Sequence, residues 1–372
     1  MPQGAEHRFD CAQCGGDYRF DPASGALLCA FCGSQQPLAS TGPWGRAGAG
    51  AAVAEIPFET GLADHLPDHL AGHAMQEARV SHCPNCGGDV VFDGATHAAE
   101  CPFCTTPVVV GTGTKRQIKP GAVLPFALDD EAARTAMTAW LGRLWFAPNG
   151  LQRYARKGRA MQGLYVPYWT FDAQSHTQYR GQRGTVYYET RSVVIDGKRQ
   201  QRQVPKVRWA PVAGRVARFF DDVLVLASGG LPAGHMQGLA PWDLSGLQPY
   251  QPHYLAGFRA EAYTVPLDAA FQQARQDMAA VIARDIRFDI GGDRQQIDHV
   301  DTRLSDVTFK HILLPVWVAA YQYRGKTYQF VVNGHSGRVQ GQRPWSIWKL
   351  AFALCLGAVA AAVVGYGVAQ GG

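Results

Sequence analysis

Apolar residues recur along this chain in two rhythms, one helical and one strand-like. After Asp129-Asp130-Glu131, the positions Ala133, Met137, Trp140, Leu141 and Leu144 return at three- and four-residue intervals until Pro148. This spacing predicts an amphipathic helix with an acidic first turn. A second helix is predicted over about 266–286, where Leu267-Asp268 opens a run carried by Ala269, Ala270, Phe271, Met278, Val281 and Ile282. Strand patterns lie between and after them. Leu164 to Asp172 is aromatic-rich, and its Pro167 predicts a sheet edge or a strand start. Tyr179 to Ser228 is rich in β-formers, with Ile195-Asp-Gly-Lys198 as a hairpin turn. Ile312 to Val318, Tyr321 to Arg324 and Thr327 to Val332 follow, closed by an Asn333-Gly334 turn. A helix and then a strand bearing apolar-Pro-x-Trp occurs twice, at Val166-Pro167-Tyr-Trp169 and Leu314-Pro315-Val-Trp317. Residues 120–342 thus read as a mixed α+β domain built from two diverged αβ copies.

Near the C-terminus the rhythm gives way to a continuous apolar run. Leu350 to Ala369 is twenty residues without a charge, enough at about 1.5 Å per residue to cross a hydrocarbon core of about 30 Å. Trp345 and Trp348 suit head-group depth; Arg338, Arg343 and Lys349 precede the run and no cation follows it. The positive-inside rule then expects a single-pass anchor over 345–370 with the folded body in the cytosol. A buried terminal helix is the competing reading, because the run is rich in Ala and Gly. Cys355 falls within it and reads as a packed thiol.

The N-terminal third is organised by cysteine. Cys11-Ala-Gln-Cys14-Gly-Gly-Asp is followed after fourteen residues by Cys29-Ala-Phe-Cys32, and Cys83-Pro-Asn-Cys86-Gly-Gly-Asp by Cys101-Pro-Phe-Cys104 at the same interval. Two such knuckles joined by a short β-turn-β segment supply four thiolates in a tetrahedron, the donor set of a structural Zn²⁺. The two copies predict small Cys₄ β ribbons at 7–38 and 80–111, each with one zinc. With four protein ligands, neither leaves a position open for chemistry. Disulfides or a redox motif are the alternatives. The polar Met1-Pro-Gln-Gly-Ala-Glu start shows no secretory pattern, so a reducing cytosol is expected. Between the ribbons, 39–79 reads as a flexible Gly/Ala-rich linker and a short solvated helix. Its His65, His69 and His73 are interrupted by Pro67 and do not form one metal-binding face.

Composition adds an asymmetry. The 372 residues, 47% hydrophobic and 17% charged, are enough for two or three domains. The net charge of +5 conceals seven Lys/Arg against twelve Asp/Glu in residues 1–127 and twenty-eight against eighteen in 128–372. Each Zn(Cys)₄ centre makes the ribbon end more acidic. Arg180 to Arg218 holds ten Lys/Arg against Glu189 and Asp196. That segment fits a solvated hairpin, a patch facing anionic lipid, or a nucleic-acid surface; the acidic ribbons themselves do not suit phosphate. Gly325-Lys326-Thr327 is not a phosphate-binding loop, since Ala320 stands where its first glycine belongs. No nucleophile elbow and no metalloprotease helix are present, so no catalytic residue is nominated and an enzyme is not expected.

The order of parts resembles the bacterial double-zinc-ribbon membrane proteins of the YdjG type, often catalogued as primosomal protein N′ or replication factor Y-like helicases. The ribbon cysteines, Tyr165-Val-Pro-Tyr-Trp169, Leu314-Pro-Val-Trp317 and Val332-Asn-Gly-His-Ser-Gly337 carry the likeness. It implies a zinc-ribbon adaptor or scaffold in the bacterial cytoplasmic membrane, serving envelope stress with phage-shock-protein-A-like and flotillin-like (SPFH) partners. It offers no catalytic residues. A nucleic-acid-binding protein linked to replication, without an ATPase motif of its own, is the alternative.

Overall fold

The computed structural model describes residues 9–38, 53–62, 75–83, 89–91, 98–101, 107–109, 114–144, 161–195, 198–323, 326–342 and 346–370. The first cysteine module is a three-stranded sheet of β1 (Tyr18–Asp21), β2 (Ala26–Cys29) and β3 (Gln35–Gln36). Strand β4 (Ile56–Pro57) and helix α1 (Phe58–Leu62) follow. In the second module β5 (Met75–His82) pairs with β6 (Asp89–Val91), and β7 (Ala98–Glu100) with β8 (Pro107–Val109). Its β5 also pairs with β9 (Thr114–Ile118), from Met75 opposite Ile118 to Arg79 opposite Thr114.

The central domain opens with β10 (Ala122–Val123) and α2 (Asp130–Gly142). Asp129 caps α2 by accepting from the Ala132 N–H at 2.8 Å. Strands β11 (Gln162–Ile195) and β12 (Lys198–Leu226) then form one long hairpin, with Ile195 opposite Lys198 as the turn predicts. Helix α3 (Ala233–Gly238), β13 (Gln248–Pro249) and β14 (Arg259–Ala260) lead to α4 (Leu267–Ile290). This helix buries Leu267, Ala270, Ala274, Met278, Ile282, Ile286 and Ile290 along one stripe and ends at Gly291, φ 64°. The chain closes with β15 (Arg294–Tyr323), β16 (Lys326–Asn333), β17 (Val339–Gly341) and helix α5 (Ile347–Gln370).

Strands β12, β11 and β15 run side by side as the spine of a nine-stranded mixed sheet. The two αβ copies expected from the sequence are visible in its hydrogen bonds. In each half the short strand before the helix pairs in parallel with the other half's long strand, β10 with β15 and β14 with β11. The Trp317 Nε1–H donates to the Leu128 carbonyl just before α2, and Trp169 Nε1–H to the Val265 carbonyl just before α4, both at 3.0 Å. Gly334 O accepts from the N–H groups of Ala127 and Leu128, as Ala227 O does from those of Thr264 and Val265.

One expectation is corrected. Pro167 lies inside the central strand, not at an edge or a strand start: it faces Leu313 of β15 on one side. On the other side it falls where the neighbour changes from β14, opposite Tyr165, to β12, opposite Tyr168. The ladder is interrupted there, so the missing N–H costs no bond. Pro315 occupies the matching gap between β10 and β16. Between the cysteine modules the flexible stretch lies outside the described residues, and the part after it meets the central domain. Residues 56–57 add to the sheet opposite Thr308 and Phe309, and Phe58 packs on Phe171 and Phe271. His65, His69 and His73 lie outside the described residues.

Beyond Gly184, which faces Arg294, the β11–β12 hairpin continues alone for eleven residues per strand, about 36 Å at strand rise. Well before that point, at Asp172 to Gln174 of β11, both flanking strands bulge, and Asp222 (φ 51°) and Asp306 (φ 52°) take the left-handed conformation.

Candidate metal centre

The first cysteine module builds its site from two matched turns. Gly15 and Gly33 follow Cys14 and Cys32, both at φ 73°, and their N–H groups close the knuckles onto the Cys11 and Cys29 carbonyls. The β1–β2 hairpin holds the knuckles together, Tyr18 pairing with Cys29. All four sulfurs lie within 4.8 Å of one another, with Cys11 Sγ 3.6 Å from Cys32 Sγ and Cys14 Sγ 3.5 Å from Cys29 Sγ. Metal–sulfur bonds of about 2.3 Å in a tetrahedron require sulfur separations of roughly 3.8 Å, so the cluster is already sized for a metal ion.

The electrostatics agree with that use. Burial works to raise the Cys11 thiol, but N–H groups of Cys14 and Gln13 bring it down to about 6. The Cys32 N–H first, and that of Phe31 too, lowers Cys29 in the same way. Each knuckle thus aims backbone dipoles at its inner sulfur. For Cys14 the Gly16 N–H acts downward, but the neighbouring thiols raise it to about 12. Cys11 and Cys29 are buried, Cys14 and Cys32 exposed.

Phe9, Tyr18, Phe20 and Leu27 form a small core that continues into the central domain at Ala256. Phe20 N–H donates to the Ala256 carbonyl at 3.0 Å, and Phe9 stacks on His253 with centroids 4.4 Å apart. Phe31, between Cys29 and Cys32, is 78% exposed. In the second module Cys83 and Cys101 are buried in the main core cluster with Leu124, Leu164 and Leu314. Cys86 and Cys104 lie outside the described residues. Asp89, of the repeated Cys-Gly-Gly-Asp, is buried, accepts from His82 Nδ1 at 2.7 Å, and through its carbonyl receives the Ala262 N–H. Beside it, burial foremost and then the charges of Asp89 and Cys101 push the fully buried Glu261 up to about 8, against the Ser228 hydroxyl and Gly230 N–H.

One polar cluster was not anticipated from the sequence. The carboxylates of Asp172, Asp221 and Asp222 lie within 4.8 Å of one another. The ammonium of Lys310 sits among them, 2.7 Å from Asp222, 3.2 Å from Asp172 and 3.2 Å from Glu55 of the inter-module segment. Lysine thus supplies the cation that such an acidic group would otherwise seek from solution. The bulge at Asp222 turns its carboxylate inward, a long-range consequence with no local sequence signal.

Helix α5 is long and apolar enough to cross a membrane: Ile347–Tyr366 has mean hydropathy 2.2, and Trp348 and Leu354 are exposed.

No family model matches the chain, and no solved structure does. Among curated proteins, the uncharacterized protein YdjG of Bacillus subtilis (strain 168) is 26% identical over 347 residues, covering 92% of each chain. The match runs over nearly the whole length of both chains.

Proposed function

We propose that this chain is a membrane-tethered adaptor, held in the cytoplasmic membrane by α5, whose two cysteine modules are structural zinc ribbons that dock protein partners. The observation that carries the reading is the placement of the first module. Its Phe9–Phe20 side is fixed to the central domain, while Phe31 and the exposed Cys14 and Cys32 face outward. An exposed aromatic on a metal-stiffened turn loses little entropy on binding, which makes it a good anchor for a partner pocket. Zinc suits the all-thiolate donor set, and four protein ligands leave it structural. Phage-shock-protein-A-like and flotillin-like partners in envelope stress are the ones the family resemblance implies. The nucleic-acid alternative has no comparable feature among the described residues of the modules.

The test is fractionation and capture. The full-length chain should remain in membranes through high salt and alkaline wash, and truncation after Arg343 should release it. Phe31→Ser should keep its metal but lose partners captured by the wild-type chain. A full-length chain recovered in the soluble fraction would overturn the tether, and undiminished capture by Phe31→Ser would overturn the docking role of that ribbon.

A further inference from the structure

The ribbon formed by β11, β12 and the start of β15 has two unlike faces. One is covered by α4, and there the ribbon recognises a helix through its acids. Arg218 pairs with Asp285 through bonds of 2.6 and 2.9 Å, and the Tyr179 hydroxyl donates to Asp289 at 2.5 Å. Arg183 Nε donates to the Ile290 carbonyl at the helix end.

Among the described residues, nothing covers the other face. Cross-strand register places Arg180, Arg215 and Arg303 on it in successive rows, two residues or about 6.7 Å apart. Among the described residues none of the three makes an ion pair, and all are exposed. Phe219, Trp209 and Tyr188 stand on the same face, 61%, 41% and 64% exposed. From the row of Gln174 to the row of Tyr188 the face holds no lysine and no glutamate. Its acids are Asp301 and Asp298, the latter bonded by Gln182 and Gln296. Arginine and aromatics without lysine or glutamate is the composition of a protein interface, whereas a polyphosphate site would favour unbroken cations. The face measures about 46 Å by 15 Å, on the order of 700 Å², close to the roughly 800 Å² that one partner contributes to a stable complex. Ribbon twist also turns the face along its length, which a helix can follow and a planar bilayer cannot.

We propose that this open face, centred on Arg180, Arg215 and Arg303, docks an acidic amphipathic helix of a partner protein, as α4 is docked on the opposite face. The inference rests on the adaptor reading and names the chemistry of one partner. A helix matching the face needs about 30 residues.

The full chain in phosphatidylcholine nanodiscs would be titrated with a labelled 30-residue amphipathic peptide bearing glutamates on its polar face, and with the same peptide bearing lysines. The glutamate peptide is expected to bind. The R180E/R215E/R303E variant should weaken it at least tenfold and make the lysine peptide the better ligand. Because all three side chains are exposed, near-UV circular dichroism should be unchanged; if it is not, Phe219→Ser is the second variant and should also weaken the glutamate peptide. Equal binding of the two peptides, or indifference to both variants, would overturn the proposal. So would binding of oligothymidylate or phosphatidylglycerol vesicles, lost in the charge-reversed variant, by a chain that ignores the glutamate peptide. A concentration-dependent dimer abolished by charge reversal would assign the face to a second copy instead. None of these outcomes involves α5 or Phe31, so failure here leaves the adaptor reading standing.

Discussion

Replacing Lys310 by methionine isolates the polar link between the inter-module segment and the central sheet. The side chain is 8% exposed and reaches three carboxylates: Asp172 at 3% exposure, Asp222 at 25% and Glu55 at 44%. Burial works against its charge, and Asp222 and Asp172 more than restore it, so its pKa is raised. Asp172 is raised by burial despite the Asp222 N–H and Lys310, while Glu55 is lowered despite burial by the Thr308 hydroxyl and Lys310. Removing one partner of a buried pair costs about 3–5 kcal/mol. The Glu55 contact is discounted for solvent screening, so nearly all of that cost belongs to Asp172 and Asp222. A loss of about 4 kcal/mol lowers Tm on the order of 10 °C in a chain of this size. The assay is urea unfolding of the detergent-solubilised chain, followed by near-UV circular dichroism, for the wild type, Lys310→Met, Asp172→Asn and the double variant. The double variant should be more stable than the sum of the single losses predicts, because the most deeply buried charge, that of Asp172, is no longer orphaned. The Lys310→Met deficit should also shrink as pH falls, since the stranded Asp172 can take up a proton. A deficit below about 1 kcal/mol, or strict additivity, would refute the reasoning.

Metal analysis should find zinc at two equivalents per chain and one in Cys14→Ser, with loss of ordered structure confined to the first module, because the metal centre is that module's folding unit; an unchanged content would contradict the assigned ligands. Trp169→Phe and Trp317→Phe each remove a hydrogen bond at 3.0 Å and part of a packed ring, and calorimetry should show matched losses of about 2 kcal/mol. Strongly unequal losses would deny the equivalence of the two halves. His311 is fully buried, its pKa is lowered by burial from 6.5 to about 4, and its Nδ1–H donates to the Ile118 carbonyl at 2.8 Å. It stays neutral in the fold while the unfolded chain takes up a proton, so up to about 3 kcal/mol of stability, present above pH 6.5, drains as pH falls toward 4. His311→Gln should flatten that part of the stability–pH curve, and an unchanged slope would show that the proton is taken up elsewhere.

What the sequence by itself determined is what short-range chemistry encodes. The spacing of Cys11, Cys14, Cys29 and Cys32 and the glycines after each knuckle specify a four-cysteine cluster that could hold a metal ion. Helical periodicity located α2 and α4, the Asp196-Gly197 step implied the turn that joins β11 to β12, and the uncharged C-terminal run became one exposed helix. The repeated apolar-Pro-x-Trp motif announced two similar halves. Only the tertiary structure decided that those halves exchange their short strands, which lets Pro167 and Pro315 sit inside a sheet where local preference places them at an edge. It also decided that Lys310 draws in Glu55 from 255 positions away, and that the basic segment divides into a face occupied by α4 and a face left open. Local spacing fixes which way a side chain leaves its own strand or turn. Which charge or helix it meets depends on register and bulges set by contacts far apart in the chain, and no window of sequence contains both partners.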